Sequence, residues 1–120
     1  MLDEVLDALR ALRSPFALHE ADIHGQVGRC LREAGLSPVH EARLAPGCRI
    51  DYLVGAVGVE IKKGRPDPAA LRRQLERYAA CGQVEALVVL TQRAVTLPAT
   101  LCGKPVRSLA INQLWGVALP

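Results

Sequence analysis

The stretch Ile50-Asp51-Tyr52-Leu53-Val54-Gly55-Ala56-Val57-Gly58-Val59-Glu60-Ile61-Lys62 constrains this chain more than any other. Two apolar, β-branched runs flank a turn that contains Gly55, the pattern of a β-hairpin. Successive side chains of a strand point to opposite faces. Glu60 and Lys62 therefore share one face, and Val59 and Ile61 take the other. Pairing of the two runs brings Asp51 close to Glu60. Two carboxylates and one ammonium gathered at a sheet edge suit a hard divalent cation and a phosphate.

The remaining chain reads as one α/β unit spanning residues 1–120, with no repeat or linker. Leu2, Val5, Leu6, Leu9 and Leu12 follow helical spacing and predict a helix over 2–13, which Ser14-Pro15 breaks. A second helix is expected from about His19 to Ala34, with Gly35 as its stop. A strand from Pro38 to Leu44 and a turn at Pro46-Gly47 lead into the strands 48–54 and 57–63. Asp67-Pro68 is a helix start, Asp as cap and Pro at the first position, and that helix should run to about Cys81, ending at Gly82. Val84–Thr91 is nearly all apolar, as in a buried, parallel central strand. Lys104–Ala110 is a weaker strand.

Composition excludes several classes. Half of the 120 residues are hydrophobic, which suits a globular core rather than disorder. The net charge is only +3, so affinity for nucleic acid must come from local clustering. No run of 18 apolar residues is present, so no membrane span is expected, and the early acids of Met1-Leu2-Asp3-Glu4 do not read as a secretory leader. Cys30, Cys48, Cys81 and Cys102 lack zinc spacing and read as reduced thiols of a cytoplasmic protein. His19, Glu20 and His24 form HExxxH, one residue too long for a zinc-protease helix. His40 reads as a surface residue. With only four aromatic residues, a platform for stacking single-stranded bases is not expected.

The order helix, three strands, helix, strand, strand, with Asp51 followed by Glu60-x-Lys62, resembles the PD-(D/E)XK nuclease superfamily, above all its small Holliday-junction-resolvase-like and RecB-type members. The resemblance covers roughly residues 17–110. It implies a restriction-endonuclease-like core, a mixed sheet flanked by helices in α-βββ-α-β order. Glu20, Asp51, Glu60 and Lys62 match the family's places for the helix carboxylate, the hairpin carboxylate and the (D/E)-x-K unit. Ile50 stands where the family's proline would. Gln74-x-x-x-Tyr78 resembles the QxxxY motif of RecB-type nucleases.

The resemblance implies a Mg²⁺-dependent deoxyribonuclease, with Mn²⁺ able to substitute, leaving 5′-phosphate and 3′-hydroxyl ends. Asp51 and Glu60 would be metal ligands, with the Ile61 carbonyl as a third. Glu20 would hold a second ion or a water, although acids also favour a helix N-terminus for its dipole alone; Asp22 lies on another face. Lys62, between carboxylates, is cast as a positioner and electrostatic stabiliser rather than a base. Gln74 and Tyr78 share a helix face and would touch the substrate, although Leu71 and Leu75 beside them allow Tyr78 a plain core role. Lys63, Arg65, Arg72, Arg73 and Arg77, with Lys62, put six basic groups within 16 residues, where a phosphate backbone would run. The alternative is a non-catalytic nucleic-acid-binding or assembly module of the same fold, which would not need Asp, Glu and Lys together. The apolar stretches 2–13 and 111–119 look surplus to the nuclease core and suggest a homodimer, with Trp115 as an anchor.

Overall fold

The computed structural model describes the backbone of residues 1–12 and 20–111, and the side chains of these except Glu20 and Ala21. Trp115 and the 112–120 tail lie outside the described residues. The element order is α1 (Leu2–Arg10), α2 (Glu20–Glu33), β1 (Pro38–Ala45), β2 (Cys48–Val54), β3 (Val57–Lys62), α3 (Pro68–Ala79), β4 (Ala86–Thr91), β5 (Thr100–Leu101) and β6 (Lys104–Ala110). The six strands form one mixed sheet in the order β1-β2-β3-β4-β6-β5.

Three features of this frame follow directly from the residues. Gly55 alone has positive φ (59°) in the two-residue β2–β3 turn, the type II′ pattern that matches strand twist. Gly35, at φ 85°, ends α2 while Leu36 N–H bonds the Leu31 carbonyl at 3.1 Å, a Schellman closure. The Asp67 carboxylate accepts the Ala70 N–H at 2.9 Å and Pro68 opens α3, as the Asp-Pro pair predicts.

The core lies in two layers, one on each face of the sheet. Val5 and Leu9 of α1 and Ile23, Val27 and Leu31 of α2 pack on Tyr52, Val54, Val59, Ile61, Val88 and Leu90. Leu71, Leu75, Tyr78 and Ala79 of α3 pack on Ile50, Leu87, Val89 and Val106. β4 is buried along its whole length and pairs parallel with β3 and β6, as its unbroken apolar run requires. Each fully buried Leu or Val in these layers contributes roughly 1.5–3 kcal/mol.

Two expectations are corrected. α1 is no surplus segment: Val5, Leu6, Ala8 and Leu9 are buried in this chain's own core. α3 ends at Ala79, two residues short of the expected Cys81, and Lys104 of β6 donates to the Ala79 and Cys81 carbonyls at 2.7 and 3.1 Å, satisfying acceptors at the helix end from outside. No helix of the described residues is long and apolar enough to cross a membrane.

Candidate functional site

The site forms where the β2–β3 ladder stops. Paired residues run from Val54↔Val57 to Tyr52↔Val59 and end there. One step further, side chains replace backbone partners. Asp51 Oδ2 accepts the Ile61 N–H at 2.7 Å, and Glu60 Oε1 accepts the Asp51 N–H at 3.3 Å. The carboxylates thus hold two backbone donors that a regular ladder would have paired.

β2 also turns over at this point. Tyr52 and Val54 belong to the core on the α1–α2 side, yet Ile50 belongs to the core on the α3 side, although residues two apart in a regular strand share a face. On β1, His40 faces Tyr52 and Ala42 faces Ile50, and the residue between them, Glu41, takes φ 51°. A non-glycine residue in the left-handed region costs about 1 kcal/mol or more, and such strain collects at functional sites. Its effect is to put Asp51 at the crossing of the two sheet faces.

Glu60 is 4% exposed. Tyr78 Oη lies 3.2 Å from Glu60 Oε1 and 3.0 Å from the Arg49 carbonyl, so its single proton has two acceptors in reach, and Gln74 Nε2 donates to that hydroxyl at 2.9 Å. Lys62 Nζ lies 3.3 Å from Glu60 Oε2. Burial pushes the Glu60 carboxyl up to about 7; the charge of Asp51 adds to this, and the Lys62 ammonium opposes it. Burial also raises the Tyr78 phenol, with Glu60 second, so Tyr78 stays a neutral donor.

Asp51 meets a histidine on its other side. His24 Nε2 of α2 stands 3.9 Å from Asp51 Oδ1, and His24 Nδ1 stands 3.0 Å from His40 Nε2. The His40 ring stacks on Tyr52 with centroids 4.7 Å apart. Tyr52 Oη donates to the His24 carbonyl at 2.5 Å. This approach depends on Gly28, where a Cβ would stand 2.5 Å from that hydroxyl. When His24 Nδ1–H donates to His40, the bare Nε2 faces Asp51 across a gap too long for a hydrogen bond, the arrangement of a ligating histidine oriented by its second nitrogen.

Asp51, Glu60, Ile61, Lys62, Gln74 and Tyr78 are thus brought together. Glu20 opens α2, but its side chain lies outside the described residues, and so does His19. Asp22 is exposed. Of the basic cluster, Arg73 and Arg77 join Lys62 and Gln74 in lining a cleft of about 350 Å³. Arg72 is exposed on α3 and does not line it; Lys63 is exposed beyond the end of β3; Arg65 lines an adjoining groove with Pro66, Leu71, Val95 and Leu97. The sequence reading missed His24 and His40 as site residues. The spacing of Glu20 and His24, four apart on one helix face, was the signal for the first; the second needed the β1–β2 register.

Each site carboxylate gives one oxygen to a backbone N–H and turns the other toward a basic side chain, Asp51 Oδ1 toward His24 and Glu60 Oε2 toward Lys62. Among the described residues no three His, Cys, Asp or Glu side chains already converge as a metal cage. The side chains here that could hold a divalent cation are Asp51 through Oδ1, Glu60 through Oε2 once ionised, and His24 through Nε2 in the tautomer that leaves it unprotonated. No protein-family model, no curated protein and no solved structure matches this chain.

Proposed function

We propose that this chain is a metal-dependent nuclease of the PD-(D/E)XK type, with a restriction-endonuclease-like core, acting on phosphodiester bonds of DNA in the cytoplasm. The observation that carries the reading is the buried Glu60, held against Asp51 and Lys62 at a break in the sheet. A buried acid among polar partners does nothing for the core, and the break costs two ladder hydrogen bonds and a strained Glu41. Such an arrangement is kept for chemistry.

Asp51 and Glu60, with the Ile61 carbonyl, would hold the cation, and His24 would add a nitrogen donor. A divalent cation bound there supplies charge neutralisation at the phosphate and a water of increased acidity. The protein's own groups do the rest. Lys62 faces the cleft and stabilises charge that builds on the phosphate oxygens. Tyr78, itself fixed by Gln74, keeps Glu60 Oε1 in place. Arg73 and Arg77 draw the backbone into the cleft.

The test has two parts. Cleavage of plasmid, linear duplex, single strand and four-way junction is assayed with and without Mg²⁺, and Mn²⁺ binding is followed by calorimetry. Asp51→Asn and Glu60→Gln should abolish cleavage and weaken Mn²⁺ binding. His24→Ala should weaken Mn²⁺ more than Mg²⁺, because imidazole prefers the transition metal. Unchanged metal affinity in both carboxylate variants would remove the assignment.

A further inference from the structure

The proposed chemistry accounts for the basic groups on the α3 side of the sheet and leaves a second basic pair unexplained. Arg43 of β1 and Arg49 of β2 are direct cross-strand partners. Like charges directly opposite one another destabilise a sheet. No ion pair among the described residues relieves either guanidinium, and both side chains are exposed. Nothing in the fold asks for two arginines here.

Their place is informative. Ala42, Leu44 and Ile50, their strand neighbours, are buried against α3. Alternation therefore puts Arg43 and Arg49 on the opposite face of the hairpin, the side from which His24 approaches Asp51. With Gly47 and Cys48 they line a hollow of about 330 Å³ at the hairpin end. Arg49 is two residues from Asp51, a span of roughly 6.6 Å along a strand. Its backbone is fixed to the site, since its carbonyl is one acceptor of the Tyr78 hydroxyl.

We propose that Arg43 and Arg49 form a second phosphate-binding station, across the sheet edge from Lys62, Arg73 and Arg77, so that a nucleic-acid backbone is held on both sides of Asp51. This rests on the nuclease reading and specifies the path of its substrate. The turned-over β2 serves this path, because it presents the carboxylates at the crossing of the two faces rather than at the bottom of one. A polyanion also removes the repulsion within the arginine pair, so the pair stabilises the bound state more than the free protein.

The experiment measures binding of a fluorescent 20-base-pair duplex by anisotropy over a range of salt, with EDTA to prevent cleavage. Arg43→Gln/Arg49→Gln should lower the slope of log K against log salt by about two, since each phosphate contact adds roughly 0.9. Its melting temperature should hold or rise as the like-charge contact disappears. An unchanged slope overturns the proposal. An equal drop in the control Arg10→Gln/Arg107→Gln, whose arginines lie on α1 and β6, would show a bulk-charge effect and also overturn it. A melting temperature lowered by several degrees would mean that the arginines build the hairpin rather than bind. Failure of the parent protein to bind the duplex at all would remove the DNA-nuclease reading and this path with it, a result distinct from parental binding with an unaltered variant slope.

Discussion

At the scale of single residues, the site turns on how one ammonium is divided between a carboxylate and the cleft. The Lys62 side chain is 29% exposed and the Glu60 side chain 5%, so the pair is sealed at the acid's end and open at the lysine's. An ion pair of this kind gives little net stability, because burying the carboxylate offsets most of the attraction. Its use lies in presenting a fixed positive charge to whatever enters between Lys62, Arg73 and Arg77. Lys62→Ala should therefore cut the cleavage rate by about 10²-fold or more, as removal of a preorganised electrostatic group does. Mn²⁺ affinity and melting temperature should stay near the parental values, and DNA affinity should fall only by the loss of one phosphate contact. Cleavage at the parental rate would reduce Glu60 and Lys62 to a structural ion pair. His24 is held from two sides: its ring meets His40 through Nδ1 and its backbone carbonyl accepts from Tyr52, while Nε2 faces Asp51.

At the scale of elements, the β2–β3 hairpin positions everything, and its seam against β4 has no slack. A Cβ on Gly58 would stand 2.5 Å from Ile50 Cδ1 and 3.0 Å from Leu87 Cδ2, both core side chains. Gly58→Ala should destabilise the fold by about 1–3 kcal/mol, read from urea unfolding, as overpacking does. Because Ile50 precedes Asp51, Mn²⁺ affinity should fall as well; a variant with parental stability would show that the seam can shift. The hairpin, the Asp67-Pro68 start of α3 and the buried β4 were legible in the sequence because local chemistry and tertiary context agree there. β5 was not, since a two-residue strand has no periodicity and its turn puts Cys102 at φ 52° beside Gly103 at 72°, where Asn-Gly would be the usual signal. The turning-over of β2 was equally hidden. Glu41 carries no propensity for positive φ, and only the packing of Ile50 on one face and Tyr52 on the other fixes it. Glu60, Lys62, Gln74 and Tyr78 could be read from spacing because each sits on a regular element, and Asp51 because the hairpin sets it opposite Glu60; His40 and the arginine pair became visible only through cross-strand register.

At the scale of the whole molecule, two cores on opposite faces of one sheet are joined through a site that buries an acid, and this makes folding sensitive to pH. α1 packs on this chain's own core, and the 111–119 segment beyond Ile111 lies outside the described residues, so the acid gives the more direct handle on the whole fold. Glu60 has an ordinary value of 4.5 and is pushed up to about 7 in the folded chain, chiefly by burial and then by Asp51. A carboxyl that holds its proton more tightly when folded favours the folded state while it is protonated. Its contribution is fully present below about pH 4.5 and is lost as pH rises toward 7, where the folded chain must bury the charge or unfold to solvate it. The metal-free protein should therefore lose several degrees of melting temperature from this group between about pH 4.5 and 7, against the trend set by ordinary acids. Glu60→Gln should flatten that fall, because the amide has no charge to bury. A divalent cation should reverse it, raising the melting temperature more at pH 7.5 than at pH 5, since bound metal favours the ionised carboxylate. Scanning calorimetry of both proteins at four pH values, with EDTA and with Mn²⁺, measures each slope directly. Parallel slopes for parent and Glu60→Gln would show that the acid is not buried as described, and a metal effect equal at all pH values would place the cation away from Glu60.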